Sequence, residues 1–159
     1  MANEFTANDI LEIAKKIEIN GAKFYREAAN RVTEEKHKQF LLGLADMEDS
    51  HEKTFAAMQA NLKGSETAAT AFDPEDESAL YLKALADTRV FFEKNQPETT
   101  MKGILASAIG AEKDSIVFYL GMKELTSEKM GKSKIGDIIK EEMRHIQMLA
   151  SKLNEFKST

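Results

Sequence analysis

The chain has 159 residues, enough for one domain with a sizeable buried core. Lys and Arg number 22 against 27 Asp and Glu, and the net charge of −5 argues against a protein that works mainly by coating nucleic acid. Cysteine is absent, which excludes disulfides, zinc fingers, Cys-ligated clusters and thiol catalysis.

Apolar residues recur at helical spacing in four segments. The first covers about 8–32, with Ile10, Leu11, Ala14, Ile17, Phe24 and Ala28 on one face. Thr33, placed before Glu34 and Glu35, is the expected N-cap of the next helix. That second segment covers about 34–62 on the stripe Leu41, Leu44, Glu48, His51, Phe55, Met58 and Leu62. The stretch that follows is small and polar and reads as a loop. Pro74 and Pro97 each sit where a first helical residue would, and 75–93 has a weak helical pattern. The third segment covers about 97–126, with Met101, Ile104, Leu105, Ala108, Ala111, Phe118 and Met122. Ser127 before Glu128 is the next expected cap. The fourth segment, about 133–156, carries Ile135, Ile138, Glu142, His145, Leu149, Leu153 and Phe156.

No segment alternates with period two, so the expected fold is all-α. Tight turns join helices one and two and helices three and four. The crossover, about 63–96, is too long to be structureless in a compact domain and is expected to hold a short extra helix. The expectation is one domain over 1–159: a four-helix bundle of two αα-hairpins joined by a long crossover. No apolar run approaches the ~20 residues of a membrane helix. The N-terminal residues lack the basic start and apolar stretch of a secretory signal. A cytoplasmic protein without membrane or nucleic-acid partners is expected.

The informative residues lie on the apolar stripes without being apolar: Glu18, Glu48, His51, Glu112, Glu142 and His145. A lone buried carboxylate costs several kcal/mol unless it is paired or neutralised. Glu18 and Glu48 straddle the first hairpin turn symmetrically, and Glu112 and Glu142 straddle the second in the same way. Each pair is separated by 30 residues, and each of Glu18 and Glu112 stands 33 before a His. The halves repeat at an offset of 94, which maps Glu18, Phe24, Tyr25, Glu48 and His51 onto Glu112, Phe118, Tyr119, Glu142 and His145. The repeat implies a pseudo-twofold axis beside a polar cluster.

Glu-x-x-His places two ligands one turn apart on one helix face. Two such motifs and two further glutamates offer four carboxylates and two imidazoles, and two divalent cations balance that charge. It is the ligand set of di-metal carboxylate sites in helical bundles. Oxygen and imidazole ligands without thiolate suit iron or manganese, with zinc also open. Tyr25 and Tyr119 lie two turns from Glu18 and Glu112, placed either to hydrogen-bond the ligand carboxylates or to serve as amphipathic core. Gly21 and Ser115 are mates under the repeat, each three residues after a glutamate; they either leave room for a small ligand at the metals or permit close helix packing. His37 is expected in solvent. Met47, Met58, Met122 and Met148 are expected as core filler.

With these residues in place, the sequence resembles the rubrerythrin-type branch of the ferritin-like superfamily. The stretch from Ile17 to Ala29 resembles that family's first-helix signature, and Leu44 to Glu52 resembles its second. The resemblance implies a non-haem centre of two metal ions per chain, most often iron, in an oxidoreductase that reduces hydrogen peroxide or dioxygen in oxidative-stress defence. Full members carry a rubredoxin-like domain with four iron-binding cysteines; this sequence has none, so the electron donor implied is a separate protein or reductant. Those enzymes usually hold another Glu where this chain has Ser115, and Asp114 beside it points off the ligand face. The alternatives are metal binding or iron handling without redox turnover, and an interaction protein whose bundle folds without metal. Dimers are common in that family, and a homodimer is one assembly the resemblance allows.

Overall fold

In a computed structural model of the chain, residues 6–62, 77–88 and 99–157 are described. They form five helices: α1 (Ala7–Arg31), α2 (Glu35–Ala60), α3 (Glu77–Thr88), α4 (Met101–Leu125) and α5 (Lys132–Lys157). No strand occurs among the described residues. Pro74 and Pro97, and the loop expected after α2, lie outside them.

The caps explain where the helices start. Thr6 opens α1 with a reciprocal capping box: its hydroxyl accepts from the Asp9 N–H at 3.1 Å, and the Asp9 carboxylate accepts from the Thr6 N–H at 2.9 Å. Thr100 caps α4 by accepting from the Gly103 N–H at 3.1 Å, so this helix begins at Met101 and not near 97. Two sequence-based caps are corrected. The N-cap of α2 is Glu34, without a side-chain cap bond, and Thr33 does not serve. Ser127 accepts from the Met130 N–H at 3.2 Å and so caps the turn before α5, not α5 itself. That turn ends at Gly131, whose φ of 111° suits only a residue without a Cβ.

α1 and α2 pair as one hairpin and α4 and α5 as the other, with α1 against α4 and α2 against α5. The α1–α2 turn lies at one end of the bundle. The α4–α5 turn lies at the other, where Met58 near the end of α2 meets Gly131. The connection from α2 to α4 must therefore run the length of the bundle. Within it, α3 lies on α4: Leu82 is fully buried, and the Tyr81 hydroxyl donates to the Val117 carbonyl at 3.1 Å. Gly121 permits this approach, since a Cβ there would stand 2.8 Å from the Tyr81 ring.

The described residues form two apolar cores. One contains Leu11, Ala14, Phe55, Met58, Tyr119, Met122 and Ile135; the other contains Tyr25, Leu41, Leu44, Leu105, Ala108 and Leu149. The sequence repeat maps one onto the other, as Leu11 and Ala14 onto Leu105 and Ala108. A polar layer separates them.

Candidate metal centre

Each long helix brings part of that layer. α1 supplies Glu18, α2 supplies Glu48 and His51, α4 supplies Glu112, and α5 supplies Glu142 and His145. All six are at most 2% exposed. The structure thus brings together every residue that interrupts the apolar stripes. The reason is register: each sits on its helix's core-facing stripe, Glu18 and Glu48 equally far from the α1–α2 turn, and each histidine one helical turn beyond the glutamate of its motif.

Both imidazoles turn Nδ1 into the layer. His51 Nδ1 lies 3.5 Å from Glu18 Oε2, 3.6 Å from Glu48 Oε2 and 3.2 Å from Glu142 Oε1. His145 Nδ1 lies 2.9 Å from Glu142 Oε2 and 3.4 Å from both Glu48 Oε1 and Glu112 Oε1. The rings are roughly parallel, with centroids 5.7 Å apart.

The ligand atoms fall into two overlapping groups. Glu18, Glu48, His51 and Glu142 each offer one atom, all within 4.8 Å of one another. Glu48, Glu112, Glu142 and His145 do the same. Glu48 and Glu142 belong to both and are placed to bridge; Glu18 with His51, and Glu112 with His145, close the two ends. One buried atom from each of the six makes no hydrogen bond: Glu18 Oε2, Glu48 Oε1, His51 Nδ1, Glu112 Oε2, Glu142 Oε2 and His145 Nδ1. An unsatisfied buried polar atom costs about 1–3 kcal/mol. The orphaned atoms are all oxygen or imidazole nitrogen and belong to the residues of the two ligand groups, so the residues fit a pair of divalent cations.

Electrostatics agree. Burial, then the Glu48 charge, push the Glu18 carboxyl well above its usual range. Burial with the charges of Glu112 and Glu142 raises Glu48. Burial and the Glu142 charge raise Glu112 to about 7. Burial opposes the charged form of His145, but the adjacent carboxylates of Glu112, Glu142 and Glu48 outweigh it and raise its pKa to about 12. His51 is raised in the same way, its burial outweighed by Glu142, Glu18 and Glu48. Without cations, the layer balances its charge by holding protons.

The tyrosines hydrogen-bond the carboxylates, and they do so across the halves. The Tyr25 hydroxyl of α1 donates to Glu112 Oε1 of α4 at 2.6 Å, and the Tyr119 hydroxyl of α4 donates to Glu18 Oε1 of α1. Each outer glutamate is tied by Oε1; Glu18 meets His51 through its other oxygen, and Glu112 meets His145 through the same one. Gly21 and Ser115 are both buried. The Ser115 hydroxyl donates to its own helix at the Ala111 carbonyl, at 3.0 Å.

Three sequence expectations are corrected. His37 is not in solvent: it is 7% exposed and its ring packs on Phe156, centroids 5.6 Å apart. Met47 and Met148 are not core filler but are exposed on the surface, unlike Met58 and Met122. Two contacts to the layer were missed. His51 Nε2 lies 2.5 Å from Glu141 Oε2, and His145 Nε2 lies 3.1 Å from Met47 Sδ. The signal was present in the repeat, because Met47 and Glu141 are equivalents that immediately precede the glutamates of the two Glu-x-x-His motifs.

Two αα-hairpins, a crossover along the bundle and a buried Glu/His layer between two apolar cores define a helical-bundle protein suited to a pair of metal ions. A model of the ferritin-like domain family matches residues 6–155, and the chain belongs to that family. It is similar to a Thermotoga maritima protein of known crystal structure, described as a ferritin-like diiron-carboxylate protein. The identity is 27% and the TM-score 0.71, with 100% of each chain covered. No curated protein matches the chain.

Proposed function

We propose that this protein is a di-iron carboxylate oxidoreductase, of rubrerythrin type without a rubredoxin domain, that reduces hydrogen peroxide or dioxygen. The observation that carries the reading is the pair of overlapping ligand groups that share Glu48 and Glu142, each group containing one orphaned imidazole nitrogen. The similarity to a protein described as diiron-carboxylate supports iron; manganese fits the same donors.

A pair of reduced irons would supply the two electrons that convert peroxide and two protons into two waters. The chain's own residues set the conditions for this. Glu48 and Glu142 hold the two cation positions together. Tyr25 and Tyr119 fix the outer glutamates by one oxygen each. The two apolar cores keep bulk water from the layer on both sides. Gly21 and Ser115, small and buried one turn after Glu18 and Glu112, would be the place at which a molecule of peroxide size approaches. An exogenous reductant or separate donor protein closes the cycle.

The second reading is metal binding without turnover. It rests on Ser115: its hydroxyl is committed to Ala111, so the layer has four carboxylates and no fifth to follow a rise in cation charge. Stopped-flow mixing of the Fe(II)-loaded protein with hydrogen peroxide, then with a reductant, separates the two. The proposal expects rapid oxidation and repeated consumption of peroxide. Oxidation without further consumption contradicts it and favours the second reading.

A further inference from the structure

Besides Gly21 and Ser115, the pseudo-twofold symmetry of the layer fails at the outer faces of its two histidines. Outside the layer, the Nε2 of each histidine meets a residue of the neighbouring helix. His51 meets the carboxylate of Glu141, and His145 meets the thioether of Met47. Met47 and Glu141 occupy equivalent positions of the repeat. The six layer residues are matched pairwise by identity, and the Ser115 hydroxyl is spent on its own helix, so this pair is where the groups touching the ligands differ in chemistry.

The difference has a direction. With Nδ1 facing the layer, the proton of a neutral imidazole sits on Nε2. A carboxylate accepts that proton in a charge-assisted bond, which fixes the tautomer and ring plane and makes Nδ1 more electron-rich. A thioether is a weak acceptor and does this poorly. Loss of such an outer contact typically costs 10–100-fold in metal affinity.

We propose that the two cation positions are inequivalent: the His51 position fills first, and Glu141 and Met47 are the positioning residues that set the order. This rests on the reading of the layer as a two-metal site. It gives the His51 end the tighter ion and the His145 end the more weakly held, more exchangeable one. The side chain of Glu141 is 48% exposed and Met47 is 41% exposed, so both can be exchanged without opening the core. Both residue types are also good helix formers.

The test uses Zn(II), which is diamagnetic, added to metal-free protein labelled with nitrogen-15. The chain has 3 histidines, few enough for every imidazole signal to be followed. In the wild type, the first equivalent of zinc is expected to shift the Nδ1 signal of His51, and the second that of His145. Calorimetry should show two affinities separated about tenfold or more. In the exchanged variant M47E/E141M, with its helicity checked by circular dichroism, the order should reverse. In M47E alone, the two affinities should converge. Two zinc ions taken up in parallel by the wild type would overturn the inequivalence while leaving the two-metal reading intact. An order that survives the exchange would remove Glu141 and Met47 as its cause. Zinc that moves neither histidine would overturn the two-metal reading and the inequivalence with it.

Discussion

Tyr25 and Tyr119 show how single hydroxyls shape the layer. Burial, then the charges of Glu112 and Glu18, raise both phenols well above their ordinary range, so each remains a donor at neutral pH. Each spends its proton on one oxygen of an outer glutamate and leaves the other without a hydrogen bond. Removing the hydroxyl frees the carboxylate to rotate and leaves its oxygen unpaired in an apolar setting. Y25F should therefore weaken the Glu112–His145 cation position about tenfold, and Y119F the Glu18–His51 position by a similar factor. Competitive metal titration of each variant checks this; an unchanged affinity in both would make the tyrosines core residues only. The identity of the two tyrosines was legible from the repeat. Their crossing to the opposite half was not, because it depends on how α1 packs against α4, which no spacing within one helix encodes.

The helices themselves were largely legible, because their stripes of Leu, Ile, Ala and Phe keep the 3.6-residue period over many turns. The caps were less so. A hydroxyl before acidic residues marked Thr33, yet the chain turns into α2 at Glu34 with no side-chain bond. Thr6, overlooked, closes a full capping box with Asp9. The composition around both sites is similar; only backbone geometry decides which hydroxyl reaches an N–H. T6A should then cost about 1 kcal/mol of stability, whereas T33A should cost nearly nothing. Urea denaturation of the two variants is a direct comparison, and equal losses would contradict the cap assignment. His37 was misplaced for a related reason. Its position early in α2 suggested solvent, but α5 extends to Lys157 and brings Phe156 over its ring.

At the scale of the whole molecule, an ionisable layer lies between two apolar cores that the repeat relates. Such an arrangement stabilises the fold only when its charges are balanced, by protons or by cations. Folding raises Glu112 from an ordinary 4.5 to about 7, so its contribution is complete below the lower value and is lost as pH rises through the upper one. His145 is raised from 6.5 to about 12, and its contribution is likewise complete at low pH and declines as pH rises. Metal-free protein should therefore melt at progressively lower temperature as pH is raised from about 5.5 to 8. Cations displace the protons, so the stabilisation by saturating metal should grow over the same range. Thermal melts with and without metal across this range measure both slopes; a metal-free protein that gains stability with pH would contradict the burial of the layer. The most direct test of the two-metal site is an anaerobic titration of metal-free protein with Fe(II). The site requires two irons per chain, with E48A and E142A, which remove the shared carboxylates, each losing both high-affinity ions. Binding of fewer than two, or two ions still held tightly without Glu48 and Glu142, would contradict it.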